Sequence, residues 1–217
     1  MNEDRLERAK MLYERAVFNG DPTAVETAQR DLDGVEADLA LARGRILHAR
    51  FLANRREDQG ELTLFERAAE LYGGLGDVRG EAESWFWVGI FHQVVRDDNA
   101  TALPALERSY QLAEQADDRL TRSYAVRHLG FAAQADGDRD LARDRLTESV
   151  RLRQEIGFAP GVAAGLLALA ELAAESGDVP GARTLLAQAD VVAQASGAAG
   201  TQVWIAAARD ELPPVES

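Results

Sequence analysis

The sequence contains no cysteine, a single lysine (Lys10) and fewer basic than acidic residues. Without cysteine the chain can form no disulfide, thiolate metal site or cysteine nucleophile, and this absence favours a cytoplasmic location. The formal net charge is −13, because 37 acidic residues outnumber 24 basic ones. A protein that neutralises phosphates needs an excess of Lys and Arg, so a nucleic-acid partner is not expected.

Long apolar runs are missing as well. The longest, from Gly161 to Ala170, has about half the length that a membrane-spanning helix needs. The first ten residues are too strongly charged to contain the apolar core of a signal peptide. We therefore expect no membrane partner and no export signal.

The chain also lacks β-branched runs with a period of two, and proline is scarce inside its Ala-, Leu-, Arg- and Glu-rich stretches. This pattern predicts an all-α fold. Gly89 falls on Gly130 when the sequence is shifted by 41, and two further shifts of 40 carry Leu106 through Leu146 to Leu186. The register holds over about 140 residues with one single-residue slip, near Asp97–Asn99, which indicates an internal repeat.

Each repeat is predicted to contain two helices. In the third repeat, Arg119 to Ala135 forms the first helix, Gly137-Asp138 the turn, and Arg139 to Ile156 the second helix. Glycine supplies the left-handed conformation that ends one helix, and aspartate caps the next. Neither helix can bury its apolar stripe alone, so neighbouring repeats must stack.

The two ends of the chain differ from the repeats. From Asp21 and Pro22 onward, apolar residues alternate three and four apart, which predicts one long helix packed along a seam against a first helix from Asp4 to Phe18. In that first helix Leu6, Tyr13 and Val17 are expected to point inward. The seam residues are Val25, Ala28, Leu32, Val35, Leu39, Ala42, Ile46, Ala49 and Ala53.

At the C-terminus, a last helix from Thr201 to Glu211 is expected to cover the fourth repeat with Trp204 and Ile205 and to end before Pro213-Pro214. The predicted organisation is thus a hairpin cap (1–34), four helix pairs (35–198) and a capping helix with a short tail (199–217). The four pairs span about 35–76, 77–117, 118–157 and 158–198.

The repeat resembles the tetratricopeptide repeat, whose first helix carries W-x2-L-G-x2-Y and whose second carries A-x3-F-x2-A. The matching residues of the second unit are Trp85, Val88, Gly89 and His92, then Ala102, Leu106 and Ser109. Those of the third are Val126, Leu129, Gly130 and Ala133, then Ala142, Leu146 and Ser149. In the degenerate first unit, His48 occupies the glycine position and Phe65 the aromatic position. The period of 40–41 is longer than that of the family, which is about 34. Glu114, Gln154 and Gln194 replace the proline that usually ends the second helix.

This resemblance implies a right-handed α-solenoid of antiparallel helix pairs, with a concave groove lined by one stripe of each first helix. The aromatic and charged residues of that stripe are the predicted binding site. They are Arg45, Glu83, Phe86, Trp87, Ile90, Gln93, Tyr124, Arg127, His128, Phe131, Gln134 and Glu171. An aromatic floor with Arg at its rim suits a protein or peptide partner that carries an anionic group. The alternative is that Phe86, Trp87 and Phe131 pack against the neighbouring unit.

Motifs of catalysis and cofactor binding are not found. The Gly73–Gly76 cluster follows a helix and lacks the Lys-Ser/Thr of a phosphate loop. The three histidines fall at three different repeat positions, so they are not expected to share a metal, and the acidic turns lack the ligand spacing of a calcium loop. No cofactor and no metal are expected.

The sequence therefore predicts a non-catalytic scaffold or adaptor that binds a protein or peptide in its groove, and leaves its oligomeric state open. One alternative is a ligand-sensing regulatory module, because repeat arrays with this longer period resemble the sensor parts of bacterial transcriptional regulators. Another is an enzyme that uses the groove, with His128, Tyr124 and Glu83 as acid–base groups.

Overall fold

The computed structural model describes residues 2–213, and over this range the chain forms helices joined by short turns, without strands. The predicted all-α fold of repeated helix pairs is confirmed. The predicted tail at 214–217, with Pro214, lies outside the described residues. None of the described helices combines the length and the apolar character needed to cross a bilayer.

The helices form two compact units, the first ending at Ala116 and the second beginning at Asp117. The helices of the first unit are α1 (Asn2–Asn19), α2 (Ala24–Asn54), α3 (Gln59–Leu75), α4 (Val78–Ile90) and α5 (Asn99–Gln115). Each packs mainly on its sequence neighbour, most extensively α2 on α3 and α4 on α5. Buried Leu41, Phe65, Leu71 and Val88 form the centre of this core.

The helices of the second unit are α6 (Arg119–Ala135), α7 (Arg139–Glu155), α8 (Ala159–Glu175), α9 (Val179–Ser196) and α10 (Ala199–Glu211). Here α6 pairs with α7 and α8 with α9, α7 also contacts α8, and α10 packs on α9 and α8. Within each unit, therefore, consecutive helices pack as they do in a solenoid built from helix pairs.

Turns of one design recur through both units. A residue with positive φ is followed by an N-cap residue at positions 77, 98, 118, 138, 158, 178 and 198. Aspartate occupies five of these caps, and each aspartate side chain accepts a hydrogen bond from a backbone N–H of the first helical turn. Gly137 and Gly177 adopt φ of 83°, as expected for turn glycines. The intervals between successive caps are equal, except that the first, from Asp77 to Asp98, is longer by one residue.

The longer interval contains a π-helical turn. Residues Phe91–Val95 continue α4 with wider spacing, and the N–H of Arg96 donates to the carbonyl of Phe91, five residues back. A single inserted residue is accommodated in a helix as such a turn. The single-residue slip of the repeat, predicted near Asp97–Asn99, is therefore accommodated a few residues earlier, at the end of α4.

Small residues allow helices of a pair to approach closely. A Cβ on Gly89 would lie 2.6 Å from the Leu106 side chain, and one on Gly130 would lie 3.1 Å from Leu146. Between α2 and α3, Gly44 allows the same close approach, because a Cβ on this residue would lie 2.4 Å from the Phe65 ring. His48, which the repeat alignment places at this position, instead lies one turn further along α2.

The N-terminal hairpin packs differently from the prediction. The long helix is observed as α2, but it begins after Thr23, and Asp21 instead accepts a hydrogen bond from the Thr23 N–H. The predicted inward residues of α1, which are Leu6, Tyr13 and Val17, are exposed, and α1 is buried through Ala9 and Leu12. Ala9 and Leu12 lie on the face of α1 that carries Arg8. The guanidinium of Arg8 binds the buried carboxylate of Asp31 on α2.

At the C-terminal end α10 covers α8 and α9 as predicted, but through fewer residues. Ile205 and Thr201 are buried, whereas Trp204 is exposed. Trp204 and Ile205 are adjacent in sequence and point about 100° apart around the helix, so only one of them can face α9 and α8.

Candidate functional site

A pocket of about 780 Å³ opens in the second unit among α6, α8, α9 and α10. Its floor and walls are apolar, formed by Phe131 and Leu186 together with alanines of α6, α8 and α10. Alanine side chains leave the space that the longer side chains of a filled core would occupy. The volume lies within the range of pockets that bind small molecules or side chains of a partner.

The polar lining of this pocket is acidic. It consists of Gln134 from α6, Glu171 and Glu175 from α8, and Glu211 from α10, and the described lining contains no Lys or Arg. The Gln134 amide donates to Glu175 over 2.7 Å, which positions that carboxylate at the edge of the pocket. Three carboxylates therefore surround an apolar cavity.

The carboxylate of Glu171 lies in an unfavourable electrostatic environment. Glu171 is exposed at the edge of the pocket, yet partial desolvation by the pocket walls raises the pKa of its carboxyl group. Arg127 acts in the opposite direction, and the nearby carboxylates of Glu175 and Glu211 raise the pKa further. Burial and like charges both disfavour the ionised form of a carboxyl group. A cation in the pocket would stabilise the ionised form.

Arg127 lies beside the pocket and is already engaged with neighbouring side chains. Its guanidinium carbon lies 4.5 Å from the centre of the Phe131 ring, and its Nη2 atom is 3.5 Å from the carbonyl oxygen of Ala164. Burial lowers the pKa of Arg127, partly offset by Glu171 and Tyr124. Its Nε atom is buried without a hydrogen-bond partner. The predicted rim arginine is thus stacked on an aromatic ring inside the unit.

A second arginine of this unit is fully buried. Arg153 on α7 donates to the carbonyl of Gly161 over 2.8 Å, and its guanidinium lies 5.0 Å from the centre of the Tyr124 ring. Burial, together with the charge of Arg127, lowers its pKa to about 10. Tyr124 also contacts the ring of Phe158. Tyr124, which was predicted to line the groove, therefore packs on the buried guanidinium of Arg153. That guanidinium links α7 to the first turn of α8 through its hydrogen bond to Gly161.

Three of the predicted site residues of the second unit line the pocket, namely Phe131, Gln134 and Glu171. Two others contact a lining residue: the Arg127 guanidinium lies over the Phe131 ring, and the His128 ring packs edge-on against it with centroids 5.3 Å apart. Tyr124 instead packs against Arg153. The spacing of α6 explains this, because Arg127, Phe131 and Gln134 are three or four residues apart and share one helix face.

The predicted site residues of the first unit do not form an open groove. Phe86 and Ile90 are buried, which corrects the expectation that they line a surface. Trp87 stacks on Phe65 with centroids 5.5 Å apart and packs against the core of α2 and α3. Arg45 forms an ion pair with Glu83. Gln93 donates to Asn99 over 2.8 Å.

These contacts have one cause in the first unit. α4 lies between α3 and α5 and contacts both, so residues on several of its faces are covered. Trp87 therefore follows the alternative, packing against the neighbouring helix pair through Phe65, and Phe86 is buried.

Several residues of the pocket were not predicted from the sequence. Glu175 and Glu211 carry two of its three carboxylates, and Ala170, Ala174 and Ala208 create its space. The spacing of Glu171 and Glu175, four residues apart on one helix face, was the available signal. An alanine-lined void leaves no motif in a sequence.

No protein-family model matches the chain, and no curated protein matches it. Among solved structures the chain is similar to the crystal structure of BtubC (BKLC) from P. vanneervenii, with 15% sequence identity and a TM-score of 0.47. The match covers 100% of this chain and 93% of the other.

The prediction that the protein is not an enzyme does not stand. The name of the similar protein, BtubC (BKLC), states no reaction, so this similarity gives no reason to exclude catalysis. The expectation relied on the lack of a visible set of nucleophile, base and orienting residue in the sequence.

Proposed function

We propose that the protein is a binding module of the tetratricopeptide-repeat type, and that the pocket of its second unit holds a segment of a partner protein. The proposed segment presents a basic side chain flanked by aliphatic ones. The observation that carries this proposal is the lining of the pocket, where three carboxylates surround an apolar cavity without a basic residue.

The close approach within helix pairs supports the repeat type. Gly89 faces Leu106 and Gly130 faces Leu146, at the small and large positions that the resemblance assigns. Ala170 and Leu186 take these positions in the following pair, and both are buried. The same pairing of small and large residues thus recurs in three successive helix pairs.

Charge favours a basic over an anionic partner group. The two arginines that the sequence offered for an anion are already engaged, Arg45 by Glu83 and Arg127 by Phe131. A Lys or Arg side chain entering the pocket would meet Glu171, whose raised pKa reflects burial and like-charged neighbours. The apolar walls would cover the aliphatic part of such a side chain.

The volume of the pocket also supports a second candidate, a sensor of a small organic cation. A cavity of about 780 Å³ can enclose most of a drug-sized molecule. This candidate shares its chemistry with the first, because the carboxylates would bind the positive group of either ligand.

Selection from random 12-residue peptides displayed on phage tests the proposal with defined probes. We expect the peptides enriched on the full chain to share Lys or Arg next to Leu, Ile or Met. Glu171→Lys is expected to weaken the binding of these peptides at least roughly tenfold, since it places a like charge against the basic group.

Asp144→Lys is the matched control. Asp144 is an exposed carboxylate on α7, in the same unit but outside the pocket lining. This variant carries the same net charge as Glu171→Lys and should bind as the wild type does. Enrichment of acidic peptides, or equal loss of binding in both variants, would contradict the proposal. If no peptide is enriched but arginine amide binds and Glu171→Lys abolishes that binding, the small-cation candidate replaces it.

A further inference from the structure

The first unit carries an apolar stripe on α2 that is largely exposed, with only Ala28 and Val35 half-buried. Val25, Leu32, Leu39 and Ile46 lie seven residues apart on α2, and their exposed fractions are 63%, 40%, 47% and 58%. Val35 and the alanines at 28, 42 and 49 fill the positions three residues further on. We call these eight residues the α2 seam. From its first to its last residue it follows about 36 Å of helix.

The rest of the unit packs on other sides of α2. Ala37, Leu41 and His48, on the side opposite the seam, are buried, the first two in the core with Phe65. The arginines of α1 reach the carboxylates of Asp31 and Asp38, which lie on a flank of the helix. The exposed residues of the seam, which was predicted to hold α1, are therefore available to another helix.

The spacing of the seam residues indicates that the partner is another helix. Apolar residues at alternating steps of three and four over more than three heptads are typical of a helix that pairs with another helix. An isolated exposed apolar residue needs no explanation, but a continuous apolar stripe of this length marks an interaction surface.

Charges beside the seam are divided along the helix. Glu36 lies in its N-terminal half, and Arg43 and Arg50 in its C-terminal half, at successive steps of seven residues along one side of the seam. Neither arginine forms an ion pair or hydrogen bond with any described residue, and both line a shallow pocket on the seam. Glu36 contacts Arg67 at the surface, where such ion pairs contribute little.

We propose that the α2 seam binds the same seam of a second copy of this chain, in antiparallel orientation. An antiparallel pair places Glu36 of each helix beside Arg43 of the other, so opposite charges meet on the flank of the seam. The contact is isologous, so each favourable pairing occurs twice and the assembly closes as a dimer.

The charges also select a register. With the two-fold axis between positions 40 and 41, Glu36 of one copy lies beside Arg43 of the other. Leu32 then meets Ala49, and Leu39 meets Ala42. A shift of the axis by half a heptad would place Glu36 of the two copies side by side, which is unfavourable.

The mass of the full chain in solution gives the first test. Light scattering after size exclusion should give twice the 23.6 kDa of one chain at micromolar concentration. Leu39→Glu, which places two carboxylates near the axis, should raise the dissociation constant of the dimer roughly 100-fold or more while the helical circular dichroism is retained. Val203→Glu changes a more exposed apolar residue, on α10, and should leave the dimer intact.

Cysteine cross-linking tests the orientation, because the chain has no cysteine of its own. Leu32→Cys and Ala49→Cys should form a disulfide with each other when mixed, and neither variant should form one with itself. In the proposed register, identical positions lie about 26 Å apart. Self-linking of either variant would indicate a parallel pair. A monomeric wild type, or a dimer that Leu39→Glu leaves unchanged, would overturn the proposal.

Discussion

The Nδ1 atom of His48 lies 2.9 Å from the Oε1 atom of Glu61, and this buried pair joins α2 to α3 in the first unit. The second oxygen of Glu61 is buried without a hydrogen-bond partner in the described structure. The rings of Phe51 and Trp87 flank the imidazole. A polar pair of this kind is surrounded by apolar groups, so its protonation state affects the stability of the unit.

Glu61→Gln tests this coupling through the pH dependence of stability. Burial raises the pKa of Glu61, although the hydrogen bond from His48 opposes the shift. The folded chain therefore holds this proton more tightly than the unfolded chain does. The contribution of Glu61 to the free energy of unfolding must then fall as the pH rises from the ordinary glutamate pKa through the raised one.

We expect the free energy of unfolding of Glu61→Gln, relative to that of the wild type, to increase with pH over this window. Urea unfolding at a series of pH values measures it. Glu66→Gln, at an exposed position of the same helix, is the control. A difference that shrinks as the pH rises would show that the sign is wrong.

Gly89→Ala should destabilise the first unit. The added Cβ would lie 2.6 Å from the side chain of Leu106, and 3.3 Å from its backbone nitrogen, so α4 and α5 would have to separate. We expect a loss of about 1–3 kcal/mol, as for other overpacked cores. Gly74→Ala is the matched control, because its Cβ meets nothing within 4 Å and alanine favours the helix. Equal effects in thermal unfolding would contradict the close approach.

Trp87→Ala should destabilise the first unit by about 3 kcal/mol or more, because the indole stacks on Phe65 and packs against the core. Trp204→Ala removes the same side chain from a position that is 59% exposed, and its effect should be below about 1 kcal/mol. Chemical unfolding followed by circular dichroism compares the two variants. If Trp87→Ala were as stable as Trp204→Ala, Trp87 would have to lie on a surface, as the sequence-based groove requires.

Asp98→Ala should destabilise α5 at neutral pH, and the difference from the wild type should narrow on acidification. The carboxylate of Asp98 accepts hydrogen bonds from the hydroxyl and N–H of Thr101, and these lower its pKa. Its stabilising effect is therefore present above the ordinary aspartate pKa and is lost as the pH falls through the lowered value. Asp144→Ala, in the middle of α7 rather than at a helix N-cap, is the control.

Local signals explain why the sequence predicted the helices of the second unit well. Asp118 and Gly137 bound α6 at the predicted residues, because caps and left-handed turns depend on a few neighbouring atoms. The α2 seam shows where this reasoning ends. A stripe has the same spacing whether it packs against its own chain or is exposed, so Leu39 and Ile46 were placed inward.

The site was predicted only in part for a similar reason. The spacing places Arg127, Phe131 and Gln134 on one face of α6, where Phe131 and Gln134 line the pocket. It could not reveal that α4 is covered on several faces, which buries Phe86 and Ile90. The pocket itself depends on small side chains of three separate helices, and a missing volume becomes visible only in three dimensions.

The π-helical turn at Phe91–Val95 shows how a repeat of this chain accommodates one additional residue. An added residue in a regular α-helix rotates everything that follows by about 100° and would turn the buried face toward solvent. Here one widened turn takes up the addition, and Asp98 still caps α5 as Asp118 caps α6. A single-codon insertion at this point is thus compatible with folding, so repeat units that differ in length by one residue can coexist in one chain.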